Sequence, residues 1–128
     1  GGALITGLTA GVVCVNATNF LKRRLGVDDS LDVFPVHGVG GILGTLLAGV
    51  FASSALGAFS GQGYAEGVTM GSQMGVQALG VVATIAYTAV VSFVRLKIVG
   101  MIVGLRVSAE AESAGLDTAE HNERGYDL

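Results

Sequence analysis

Three long runs of apolar and small residues, each without Asp, Glu, Lys or Arg, alternate with short charged clusters: Ala3 to Leu21, Val33 to Ala65 and Val68 to Val94. The charges are confined to Lys22 to Asp32, Glu66, Arg95 to Arg106 and the region from Glu110 onward. A helix crossing a hydrocarbon core of about 30 Å needs about 20 predominantly apolar residues. Each run supplies that length, so the pattern predicts an all-α membrane helix bundle with spans at about 3–21, 33–52 and 68–94, the last continuing toward Val103. Residues 1–106 then form the membrane region and 107–128 an acidic tail. The competing reading is a soluble bundle of buried helices, but three uncharged helices in 128 residues leave almost nothing to face water.

Composition sharpens this picture. Half of the chain is hydrophobic (51%) and only 13% is charged, against about a quarter in an ordinary soluble domain. Lys22, Arg23 and Arg24 lie in the first connection, the second has no basic residue, and Arg95, Lys97 and Arg106 follow the third span. Cytoplasmic flanks collect Lys and Arg. The first connection and the carboxyl terminus are therefore expected in the cytoplasm, with Gly1 outside. The first run has no basic leader, which disfavours a secretory signal, and the opening Gly-Gly leads to the expectation of a carboxyl-terminal piece of a longer protein.

Glycines recur every four residues at Gly7 and Gly11, at Gly40 and Gly44, and at Gly67, Gly71 and Gly75. That spacing places them on one helical face and predicts close helix–helix approach.

The second run opens DDSLDVFPVHGVGG. Asp28, Asp29 or Asp32 can cap its amino end, where a carboxylate accepts from unpaired amides and suits the positive end of the dipole. Pro35 is tolerated in a first turn that begins at Asp32; a helix beginning near Asp29 is expected to kink there. His37 is the one ionisable group in the run, and such a group inside a membrane span reads by default as part of an ion or proton pathway. Helical spacing groups it with Val33, Phe34, Gly40, Gly41 and Gly44. The alternative is a packing histidine hydrogen-bonded to a neighbouring helix.

Other chemistry finds little footing. Cys14 is solitary, so neither a disulfide nor a cysteine metal site forms within the chain. His37 and His121 are expected in different phases, which disfavours a metal centre. The Gly38 to Gly44 string lacks the Lys-Ser/Thr of a phosphate loop. No basic aromatic surface points to nucleic acid, no triad or paired acids point to an enzyme, and no cofactor is expected.

The string DDSLDVFPVHGVGGILGTLLAGVFA, from Asp28 to Ala52, resembles the penultimate-helix signature of the Amt/Mep/Rh ammonium transporters, D-D-x-x-D-V-F-x-V-H-G-x-x-G. Gly63 to Val81, GYAEGVTMGSQMGVQALGV, is similar to the entry into that family's long final helix, and Gly104 to Tyr126, GLRVSAEAESAGLDTAEHNERGY, to its cytoplasmic tail. The motifs are those of the bacterial or archaeal branch. The resemblance implies a trimer of about eleven spans per subunit in a prokaryotic cell membrane, with a pore in each subunit. This chain would supply the last three spans and, in His37, the second histidine of the pore's twin pair. Asp32 and Val33 would lie near the cytoplasmic mouth, the first capping or supporting the helix and the second lining the exit. Pro35 departs from the glycine usual there.

Taken alone, the acidic stretch from Val107, interrupted at Gly115 and Gly125, reads as a disordered, solvated tail. The resemblance implies instead a regulatory tail that docks under neighbouring subunits and helps bind PII-type signalling proteins, with Gly104, Arg106, Gly115, Asp117, His121 and Tyr126 matching. The threonine phosphorylated in plant relatives is Ala119 here. Two functions follow for the parent: ammonium or ammonia transport, or an ammonium sensor whose tail reports occupancy to a cytosolic partner.

Overall fold

The computed structural model describes residues 1–125; Tyr126, Asp127 and Leu128 lie outside the described residues. It is all-α, an arrangement of membrane-spanning helices with no strand among the described residues. Helix α1 covers Gly2–Arg23, a π-helical segment covers Phe34–Val39 and continues directly into α2, Gly40–Phe51, and α3 covers Met70–Ile102; two short helices, α4 (Ala109–Ala114) and α5 (Leu116–His121), follow. The three long elements, Gly2–Arg23, Phe34–Phe51 and Met70–Ile102, are each long and apolar enough to cross a membrane.

Among residues 1–85, α1 and α2 run antiparallel. Near one end, Gly2 is so close to Phe51 that a Cβ on the glycine would stand 2.9 Å from the Phe51 Cβ; midway, one on Gly40 would stand 3.0 Å from the Cys14 Sγ. At the other end the Lys22 ammonium meets Asp32 at 2.7 Å. The inner side of α1 carries Ile5, Thr9, Ala10, Val13, Cys14, Ala17 and Thr18, and the outer side Leu4, Leu8, Val12 and Val15.

The glycine expectation is met at Gly40 and not at the rest of the series: Gly7, Gly11, Gly44, Gly67 and Gly75 have nothing within 4 Å of a notional Cβ, while Gly2 and Gly49, outside the series, are also tight against a neighbouring helix. Spacing marks which residues share a face; the neighbour decides whether that face is used. Gly49 admits the first turns of α3, where its Cβ would meet Gln77 Cγ at 3.0 Å and Met74 Sδ at 3.2 Å.

Between α2 and α3 the chain folds back on the end of α2. The Tyr64 hydroxyl donates to the Gly49 carbonyl at 2.8 Å, and the Gly61 and Gly63 amides donate to Ser53 and Ala52. These bonds satisfy carbonyls that the end of any helix leaves without intrahelical partners. Thr69 and Ser72 then start α3 reciprocally: the Thr69 amide donates to the Ser72 hydroxyl at 2.9 Å, and the Ser72 amide to the Thr69 hydroxyl at 3.2 Å. At 1.5 Å per residue α3 is about 50 Å long, longer than a bilayer core. It outruns the sequence-predicted 68–94 and reaches the expected continuation, ending at Ile102.

Among residues 86–125, Lys97 lies 5.6 Å from the Phe93 ring centroid, one turn back on α3. Gly104, at φ +79°, stops the helix in a left-handed conformation, and Leu105 folds back so that its Cγ would lie 3.3 Å from a Cβ on Gly100. Ser108 caps α4 by accepting from the Ala111 amide at 3.2 Å. Arg106 pairs with Glu112 at 2.9 Å, both exposed. Gly115, at φ +91°, divides α4 from α5. The stretch expected to be disordered when read alone thus holds two capped single-turn helices, with the break at Gly115 where the sequence places it.

No hydrophobic residue is buried among those described. Leu4, Leu8 and Val12 on α1 and Val76, Leu79 and Val82 on α3 are all more than 60% exposed. Apolar surface of that extent is stable against acyl chains or other helices and costly in water.

Candidate functional site

The entry into the second span is built by Asp29. Its Oδ1 accepts from the Val33 amide at 2.9 Å and its Oδ2 from the Phe34 amide at 2.8 Å, so one carboxylate caps two donors. These two bonds, the Phe34 one foremost, hold the Asp29 carboxyl below its ordinary value, with the positive charge of Lys22 adding to the effect. The cap that the sequence left among three aspartates is therefore Asp29.

Asp32 has a different task. Its backbone takes a left-handed φ of +55°, and its side chain turns toward α1. The Oδ1 atom is closed off from solvent and accepts no well-aligned hydrogen bond, so its contact with Lys22 at 2.7 Å is an ion pair rather than a directed bond. Asp32 thereby supports the helix by tying it to the end of α1. Beside it a cleft of about 410 Å³ is lined by Cys14, Val15, Thr18, Asn19, Asp32 and Val36. Val33 and His37 are not among its lining residues.

Pro35 is fully buried, and the turn around it is wide. Proline cannot donate to the carbonyl four residues back. The helical segment begins at Phe34, so Pro35 falls in its first turn, as expected for a start near Asp32, and the turn is π-helical: the Val36 amide still reaches Asp32 O at 3.1 Å, and the Gly40 amide is shared between the His37 and Pro35 carbonyls. Widened turns of this kind recur at functional sites.

The outcome is an open file on the side away from α1. Val33, His37, Gly41, Thr45 and Ala48 are all exposed, four, four, four and three residues apart. Of the residues that helical spacing groups with His37, Val33, Phe34 and Gly41 share its exposure, whereas Gly40 is turned against Cys14 and Gly44 is half-buried.

The family model of the Ammonium Transporter Family matches residues 1–126. The chain belongs to the ammonium transporter family. The match covers nearly every residue, including the acidic tail that composition alone leaves uninformative. Among curated relatives of this family, an ammonium transporter of Mycobacterium tuberculosis is 45% identical over 99% of the chain, a putative ammonium transporter of Methanothermobacter thermautotrophicus 43% identical over 100%, and the ammonium transporter Amt1 of Archaeoglobus fulgidus 36% identical over 98%. The chain spans 27%, 31% and 31% of the length of these three relatives.

The tail residues singled out by the family resemblance lie among residues 86–125, except Tyr126, which is outside the described residues. Gly104 and Gly115 take left-handed turns, Arg106 pairs with Glu112, the Asp117 carbonyl accepts from the Glu123 amide at 2.9 Å, and His121 ends α5.

Proposed function

We propose that the parent of this chain carries ammonium or ammonia across the cell membrane and that this chain contributes the second histidine of its pore, His37. The observation that carries the reading is the position of His37: exposed, one step of four from Val33 and from Gly41, inside a helix whose sequence is that of the ammonium transporter family. A hydrocarbon-facing imidazole is expensive, so the open file is assigned to the substrate path. Val33 lines its cytoplasmic exit. Asp32 acts beside the path as a strut.

Neutral imidazole carries one donor and one acceptor nitrogen. It can accept from an N–H of ammonium that has shed water, or take a proton and leave ammonia to move on. The relatives are named as transporters, which favours transport over sensing. In the full reading the parent is a homotrimer with its carboxyl terminus in the cytoplasm, residues 1–106 lie in or at the membrane, and the 107–128 tail is regulatory. Gly104, Arg106, Gly115, Asp117, His121 and Tyr126 serve its docking to neighbouring subunits or to a PII-type protein. The chemistry is transfer across a membrane, with no bond of the substrate other than N–H altered.

The test is methylammonium uptake into liposomes holding the full-length parent, wild type against His37→Ala, at several pH values. Lost flux or a changed pH profile, with assembly intact, supports the pathway role; an unchanged rate and profile overturns it. Wild-type protein that binds ammonium without flux would instead point to a sensor.

A further inference from the structure

Two carboxamides stand on the open side of α1. The spans hold four among the described residues, and while Gln73 and Gln77 are half-buried, Asn16 and Asn19 are exposed. Their Nδ2 atoms donate to the Val12 and Val15 carbonyls four residues back, at 2.8 and 3.0 Å. A threonine in an apolar helix can place its one proton in such a local bond, as Thr6 does with the Gly2 carbonyl at 3.0 Å. A carboxamide is not satisfied that way, because it has two N–H groups and an oxygen with two lone pairs. Among the described residues, each asparagine is left with an N–H and a carbonyl oxygen still to be partnered. Water would do this for a soluble protein; acyl chains do not.

Position and depth make this a surface for protein. At about 100° per residue, Val12, Asn16, Asn19 and Arg23 fall within about 60° of one another around α1, and all four are exposed. Asn16 lies about 10 Å in from Arg23, the last residue of the helix, and so within the hydrocarbon layer rather than among headgroups. Asn19 also lines the cleft beside Asp32, together with Thr18, so the polar surface continues from this face toward the carboxylate. Asparagine side chains in membrane helices hydrogen-bond across to neighbouring helices. The chain spans only 27% to 31% of the length of the relatives named above, so most of a parent of that length shares the membrane from outside it. We infer that this face of α1 is a seam for another membrane helix of the same parent subunit. That helix presents a hydrogen-bonding side chain to Asn16 and Asn19 and closes the cleft beside Asp32. The inference needs α1 to span the membrane and is independent of what the parent carries.

Two measurements on the full-length parent test it. In the first, the photoreactive residue p-benzoylphenylalanine replaces Asn16 or, separately, Asn19, and the protein is irradiated in its membrane. A cross-link within one subunit, to a peptide outside residues 1–128, supports the inference. Adducts confined to phospholipid overturn it. A cross-link joining two copies also overturns it, and would make the face a subunit interface instead. In the second, Asn16→Leu/Asn19→Leu is melted in detergent beside the wild type. On a lipid-covered face leucine is the better residue, and the melting temperature should stay level or rise. In a seam leucine strands the polar group of the facing helix, and the melting temperature should fall by a few degrees. If the photoreactive variants fail to assemble or give no adduct, melting decides: a fall supports the seam, and a level or raised melting temperature overturns it.

Discussion

Lys22 and Asp32, ten residues apart, meet at 2.7 Å and close the connection between the first two spans. The contact uses one of the three basic residues clustered in this connection, so a charge of that cluster also fastens the two spans. Both side chains are partly exposed, at 40% and 33%, which limits the strength of the pair. Lys22→Met should still be destabilising by about 1–2 kcal/mol because it strands a solvent-shielded carboxylate oxygen. Asp32→Asn, which keeps a residue able to hold a left-handed backbone, should remove most of that penalty when combined with it. Melting of the purified parent in detergent measures the cycle; additive effects would show that the two residues are not coupled.

Asp29 should behave as the acid-sensitive element of the same region. Its folded pKa is depressed from 3.8, so the cap stabilises the fold at neutral pH and above its ordinary value, and is lost as pH falls through the lowered folded value. Asp29→Ala should lower the melting temperature at pH 7 and flatten the acid dependence below about pH 4. Equal melting of wild type and variant at pH 7 would remove the double cap from the account.

Restoring an amide at Pro35 should narrow the turn before His37. Pro35→Ala permits an ordinary α turn, which would rotate His37 relative to Val33 and Asp32. Methylammonium uptake should fall, or its pH profile should move, while the protein still assembles. Wild-type kinetics at every pH would show that the widened turn is irrelevant to the histidine.

Gly40 and Cys14 should be coupled through space. A Cβ on Gly40 would press the Cys14 Sγ at 3.0 Å, so Gly40→Ala should be destabilising by about 1 kcal/mol, and Cys14→Ala should relieve it. The control is Gly41→Ala, whose Cβ meets nothing within 4 Å and should leave stability nearly unchanged. A penalty in G40A that C14A does not reduce would mean that the cost comes from elsewhere.

At the end of α3, Gly104→Ala should force a side chain into φ +79° at a cost of about 1 kcal/mol. The Leu105 contact with Gly100 would loosen, and limited proteolysis should cut faster between residues 105 and 115. Unchanged cleavage would indicate that the turn is held by other contacts.

Span number and span order were legible because charge exclusion and length act over tens of residues and need no knowledge of neighbours. The end of α3 was partly legible, since Gly104 supplies the left-handed stop but only the fold-back of Leu105 makes it firm. The choice of Asp29 over Asp28 or Asp32 was not, because three carboxylates within five positions can each reach the same amides, and Lys22, on another helix, decides between them. Glycine spacing named faces correctly and contacts poorly: Gly7 and Gly11 look outward, and Gly49, in no series, is the one that admits α3. The short helices after Ser108 were hidden by a composition that reads as solvated, their caps being single hydroxyl and glycine positions rather than a periodic pattern.

The widened turn between Phe34 and Val39 holds about one residue more than an α turn would over the same rise, and one residue is about 100° of rotation. Narrowing it to an ordinary α turn at unchanged length would turn Asp29 and Asp32 by roughly that angle relative to Gly41, whereas losing a single position there would give an α turn with both flanks still in register. A homologue one residue shorter in this segment could therefore keep the Lys22 partner and the bearing of the helix face together, while one that narrows the turn at full length would have to rebuild its link to the first span.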